Sequence, residues 1–121
     1  NIDALLEKRR SIYNIGKQVG PGDDEIIALI NRIVALVPDA FNMKSQRVVL
    51  ALGSKHEALW DAVHDAFNSK IPREKTEGFK AGHGTVLYFY DAAVIEALQK
   101  QFPRYANNFP VWAQQSNGML R

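Results

Sequence analysis

The sequence predicts one mixed domain of helices and short strands, and three observations carry that prediction. A chain of 121 residues with 46% hydrophobic content is long enough to bury one core. Ile26, Ile27, Ile30, Ile33, Val34 and Val37 recur at the one-face spacing of a helix. Two short runs, 47–52 and 85–90, are β-branched or aromatic and are bounded by glycine, as strands are.

Each element follows in chain order. Residues 3–10 read as a short helix carrying Ala4, Leu5 and Leu6. Val19-Gly20-Pro21-Gly22 breaks the chain, and Asp23 is the expected N-cap of the next helix, which stops before Pro38 because the residue preceding proline avoids helical angles. Arg47 to Leu52 is the first strand, stopped by Gly53. Ser54 and Glu57 form an expected capping box for a helix running to about Asn68, with Leu59, Trp60, Val63 and Phe67 as its core stripe. Ile71-Pro72 interrupts, and 73–81 is again helical. Gly82-His83-Gly84 turns into the second strand, 85–90, whose continuous apolar character predicts burial on both faces. Asp91 caps a helix with Val94, Ile95 and Leu98 inside. Beyond Phe102-Pro103 and the turn residues Asn107-Asn108, Pro110 suits the first turn of a last helix.

Two strands make a marginal sheet, and the apolar pattern runs to Met119-Leu120-Arg121 without a C-cap. The expectation is either the N-terminal part of a larger domain or a fold completed by a second copy.

Composition narrows the function classes. Fifteen basic and thirteen acidic residues are interspersed, giving a net charge of +2, so no basic arm is present and a nucleic-acid partner is not expected. Without cysteine there is neither a disulfide framework nor a thiolate metal site. The apolar runs are too short to span a bilayer, and Asp3 and Glu7 stand where a signal peptide would be apolar, so a cytoplasmic protein with no membrane association is expected. There is no HExxH, GxSxG or phosphate-cradling glycine loop. Glu57, Asp61 and His64 share a helical face at i, i+4 and i+7. That spacing can hold a metal, but the face points away from the apolar stripe and reads as solvated. His83, between two glycines, reads as a turn residue.

Two stretches remain. Arg9, Arg10 and Ser11 place two planar N–H forks and a hydroxyl together, a set that suits one phosphate monoester. The same residues also suit a solvated helix end. Between the amphipathic helix and the first strand, the stretch 38–47 is unusually polar. Its Asn42 amide can read a heterocycle edge and its Lys44 can place charge near an electron-rich ring, or Asn42 and Ser45 can bond the loop's own backbone.

Taken together, "RRSIYNIG", "VPDAFNMKSQRVVLALG", "FKAGHGTVLYFYD" and "FPRYANNFPVWAQQSNGML" resemble, in order and spacing, the nitroreductase family of flavin enzymes, in its small bacterial and fungal branch. The resemblance covers nearly the whole chain. It implies an α+β fold with helices around a central sheet, an intertwined homodimer, and FMN held at the subunit interface and reduced by NADH or NADPH in a ping-pong cycle. It implies that Arg9, Arg10 and Ser11, with Tyr13 beside them, grip the phosphate and ribityl chain, and that Asn42 and Lys44 approach the ring from the partner subunit. Many members of the family carry a basic residue where Tyr13 stands and a glutamine where Lys44 stands. The family also continues beyond Arg121, so residues 1–121 are expected to be a single nitroreductase-like domain lacking its C-terminal strands and helix. The expected function is reduction of nitroaromatic, quinone or related small-molecule acceptors. The alternative is a truncated, non-catalytic dimerisation or binding fragment.

Overall fold

A computed structural model describes residues 1–68 and 70–120. Its elements are α1 (Ile2–Lys8), α2 (Asp23–Leu36), β1 (Gln46–Leu52), α3 (Ser54–Ala66), α4 (Arg73–Lys80), β2 (Gly84–Tyr90), α5 (Ala92–Gln101) and α6 (Phe109–Leu120), with 3-10 turns at Ala40–Asn42 and Pro103–Tyr105. Among the described residues the sheet has two strands, β1 beside β2. Asp91 N donates to Ser45 O at 2.8 Å, and a Cβ on Gly84 would stand 2.9 Å from Ala51 O. Position 91 therefore faces 45 while 84 faces 51, which is an antiparallel register. The close approach also explains the glycine: a side chain at 84 would meet Leu52 Cδ2 at 2.6 Å.

The chain divides into two compact units, Asn1–Val19 with Ala51–Thr85 and Gly20–Leu50 with Val86–Arg121. In the first unit, Asn1 caps α1 by accepting from Ala4 N at 2.9 Å. The helix ends at Lys8 rather than Arg10, because Arg9 is already extended at φ −61°, ψ 133°. Gly53, at φ +56°, is the N-cap of α3, a left-handed position that favours glycine. Ser54 is therefore inside the helix, and the expected capping box does not form.

The core of this unit is built on a residue that the apolar pattern omits. His56 is buried, with Nδ1 2.7 Å from Thr85 Oγ1 and Nε2 3.0 Å from Lys80 O. Trp60 Nε1 donates to the same Thr85 hydroxyl at 2.9 Å and its ring stacks on Phe79 at 4.9 Å. The carbonyl of Lys80 can only accept, so Nε2 carries the proton. Thr85 then accepts from Trp60 and donates to Nδ1, which satisfies every group. Phe67, expected in the core, is exposed. The Glu57, Asp61 and His64 face is not simply solvated either. Glu57 pairs with Lys17 at 3.1 Å, Asp61 with Lys80 at 2.9 Å, and His64 Nδ1 lies 3.4 Å from Thr76 Oγ1. His83 sits in the turn before β2, its Nδ1 2.8 Å from Lys17 O.

In the second unit, α2 is capped by Gly22 and Asp23 is its first helical residue, so the cap stands one position earlier than expected. Of the predicted stripe, Ile26, Ile30, Ile33, Val34 and Val37 are half-buried, whereas Ile27 is exposed. Met43, Ile95, Phe109 and Ala113 form the core, with Val94, Leu98, Phe102 and Trp112 packed against it. Asp91 caps α5 by accepting from Ala93 N at 2.9 Å, and Pro110 lies in the first turn of α6, both as expected. The aromatic strand β2 is half-buried rather than buried on both faces, with Phe89 exposed. The missing C-cap concerns Arg121, which lies outside the described residues. No helix among the described residues is long and apolar enough to cross a membrane.

Candidate functional site

The four N-terminal candidates lie in the first unit, on the extended segment after α1. Arg9 Nη1 donates to Ser11 Oγ at 3.3 Å, and Arg10 Nη1 donates to Arg9 O at 3.2 Å. All are exposed, so these bonds are made in water and hold the guanidinium groups weakly. Lys8, not Arg9 or Arg10, occupies the last turn of α1, where the helix dipole favours a cation. Tyr13 is also exposed, with its ring 6.5 Å from that of Phe79.

Asn42 and Lys44 lie in the second unit, on a loop of unusual backbone. Phe41, Asn42 and Lys44 all adopt left-handed angles, at φ +55°, +51° and +50°. A side-chain-bearing residue there costs of order 1–3 kcal/mol, less for asparagine, and persists only where the surroundings over-determine it. Asp39 does so. Its Oδ1 accepts from Ala40 N at 3.0 Å and from Ser116 Oγ at 3.0 Å. Its Oδ2 accepts from Ser45 N at 2.9 Å and from the Ser45 hydroxyl. Phe41 is further held by rings on several sides, its centroid 5.0 Å from Phe102, 5.3 Å from Phe109 and 5.9 Å from Trp112.

The loop's polar groups thus divide into two sets. Ser45 is buried and its hydroxyl donates to the Asp39 carboxylate of the same stretch, rather than bonding the loop's backbone as one of the two readings expects. The Asn42 side chain and the Lys44 ammonium are exposed, and among the described residues neither makes a hydrogen bond or ion pair. They border a pocket of about 550 Å³ whose wall also includes Val34, Val37, Pro38, Gln46 and Arg47. Arg47 Nη1 donates to Lys44 O and Gln46 O at 2.9 and 2.8 Å, and its Nη2 pairs with Asp91 at 3.1 Å.

Gln46 is the residue that sequence reasoning passed over. It is 9% exposed, and its buried Nε2 has no partner among the described residues. Extending the first strand by one residue would have found it, because positions 46, 48 and 50 are each more buried than 47 and 49.

In the first unit the two guanidinium forks and the hydroxyl are groups that suit a phosphate monoester; in the second, the Asn42 amide and the Lys44 ammonium are unengaged among the described residues. Among the described residues, no cluster of His, Asp or Glu is arranged to hold a metal ion.

The model of the Nitroreductase family matches residues 6–120. The nitroreductase FRM2 of Saccharomyces cerevisiae is 31% identical over 119 residues, covering 96% of this chain and 62% of its own length. The chain thus spans about three-fifths of the length of that curated relative. Nitroreductase CinD of Lactococcus lactis, solved in complex with chloramphenicol, superposes with a TM-score of 0.88 at 38% identity, over 99% of this chain and 64% of CinD. CinD has also been solved with 4-nitrophenol. A nitroreductase structure from Saccharomyces cerevisiae gives a TM-score of 0.85 at 30% identity, over 98% and 68% of the two chains.

Proposed function

The chain belongs to the nitroreductase family and has its α+β fold, and on that premise we propose that it works in an FMN-dependent NAD(P)H oxidoreductase. The acceptors are nitroaromatics, quinones or related small molecules, reduced two electrons at a time in a ping-pong cycle by a cytoplasmic homodimer. The complexes of CinD with chloramphenicol and with 4-nitrophenol support an aromatic acceptor.

One observation carries the reading for this chain: the Asn42 and Lys44 side chains, without a partner among the described residues, stand on left-handed backbone that the Asp39 network holds in place. Bound FMN would supply the hydride chemistry. Asn42, offering both a donor and an acceptor, would fix the orientation of a ring edge that carries carbonyl and N–H groups. The Lys44 ammonium would stabilise negative charge developing on a reduced ring. Arg9 and Arg10 would take phosphate oxygens bidentately with Ser11 adding a hydroxyl, and Tyr13 would line the same end. In a homodimer the loop bearing Asn42 would serve the flavin gripped by the other subunit.

The test is NADH or NADPH oxidation by the purified protein with excess FMN and 4-nitrophenol as acceptor. Turnover above that of free FMN is the expected result. A rate equal to the free-flavin background would overturn the enzymatic reading and leave a non-catalytic dimerisation or binding piece.

A further inference from the structure

We propose that Arg47 is a positioning residue for the cation beside the flavin ring. Its guanidinium, anchored on Asp91, fixes the backbone of Lys44 and so the side of the loop from which the Lys44 side chain leaves. Arg47 Nη1 donates to Lys44 O at 2.9 Å and to Gln46 O at 2.8 Å, and its Nη2 donates to Asp91 Oδ2 at 3.1 Å. One planar fork thus meets three acceptors, which sets its plane. The anchor is itself held twice. Asp91 N donates to Ser45 O at 2.8 Å, and Asp91 Oδ1 accepts from Ala93 N at 2.9 Å in the first turn of α5.

Lys44 needs such a hold. Its φ of +50° costs a residue with a side chain about 1 kcal/mol or more, and a return to ordinary angles would swing its Cα–Cβ bond to another side. Asp39 grips the turn at Ala40 and Ser45, to either side of Lys44, whereas Arg47 takes the Lys44 carbonyl directly. The Lys44 ammonium has no partner among the described residues, so its placement depends on the backbone that carries it. The charge of Arg47 is answered by Asp91. Both side chains of that ion pair are partly open to water, where such pairs add little to stability. The clamp therefore contributes direction more than it contributes to the fold.

The inference rests on the reading of Lys44 as the cation beside bound FMN, and its test keeps the two apart. Arg47→Lys keeps the charge and loses the fork. In flavin-free, isotope-labelled protein this variant should move the Lys44 and Ser45 backbone resonances while leaving Tm nearly unchanged. With FMN bound, Lys44→Met should lower the midpoint potential of the flavin. Arg47→Lys should lower it as well, by about 15 mV or more, a roughly threefold weaker hold on reduced relative to oxidised FMN. In the Lys44→Met background it should lower it no further. Unmoved Lys44 resonances, a potential unchanged by Arg47→Lys, or an equal fall in the Lys44→Met background would overturn the positioning role. A potential unmoved by Lys44→Met, or no FMN binding by the unmutated protein, would instead overturn the flavin reading, and the resonances would then show by themselves whether Arg47 fixes Lys44.

Discussion

Ser116 Oγ donates to Asp39 Oδ1 at 3.0 Å, tying α6 to the turn before β1 across 77 positions of sequence. The same carboxylate receives Ala40 N, Ser45 N and the Ser45 hydroxyl. One side chain therefore fixes the left-handed turn on which Asn42 and Lys44 stand. Asp39→Ala would leave the buried Ser45 and Ser116 hydroxyls and two amides unmatched. Hydrogen bonds to a charged group are worth about 1.5–3 kcal/mol each and do not simply add, so urea denaturation should show a loss of about 3 kcal/mol or more. A loss under about 1 kcal/mol would mean that the aromatic cluster around Phe41 holds the turn by itself.

The Thr85 hydroxyl serves Trp60 and His56 together. Thr85→Val keeps the shape and removes both bonds, leaving an indole N–H and a ring nitrogen unmatched. The expected cost is about 2 kcal/mol, read from chemical denaturation followed by tryptophan fluorescence. A neutral result would show that water replaces the hydroxyl.

Lys80 gives the molecule a defined alkaline response. Its hydrogen bonds to Asp61, at 2.9 and 3.1 Å, raise its pKa above the ordinary 10.5, with desolvation opposing and the charges of Asp61, Glu77 and Glu57 assisting. The folded state therefore binds this proton more tightly than the unfolded chain. The contribution is fully present below 10.5 and is lost as pH rises through the higher folded value. Asp61→Asn should reduce the fall in Tm as pH rises above about 10.5. Parallel pH–Tm curves for the two proteins would contradict the assignment.

What the sequence made legible was local. Asp91 and Pro110 announce α5 and α6 because capping and first-turn chemistry are set by neighbours within a few residues. Both strands are readable to within one residue at their start, since β-branching and glycine punctuate them. The burial of His56 was not legible. It lies one and two turns before Trp60 and Val63 on the same helical face, but its partner Thr85 is 29 positions away. The left-handed Phe41 depends likewise on Ser116 and on rings from after residue 100. As for the candidate site, spacing alone left Arg9, Arg10, Ser11 and Asn42 with two readings each, and the resemblance to a family singled out one. Gln46 was missed because the strand was begun one residue late.

Arg10 is exposed and, among the described residues, donates only to the Arg9 carbonyl, so its replacement should leave the fold intact. Arg10→Ala should weaken FMN binding by about 1.5–3 kcal/mol, the range for losing a hydrogen bond to a charged group, measured by equilibrium titration. An unchanged dissociation constant would remove Arg10 from the phosphate grip.

The most direct measurement is the visible spectrum and flavin fluorescence of the purified protein titrated with FMN, beside the same titration of Asn42→Ala. The account predicts a bound, perturbed flavin spectrum with saturable quenching in the parent and clearly weaker binding in the variant. A colourless protein that leaves added FMN spectrally free would contradict it.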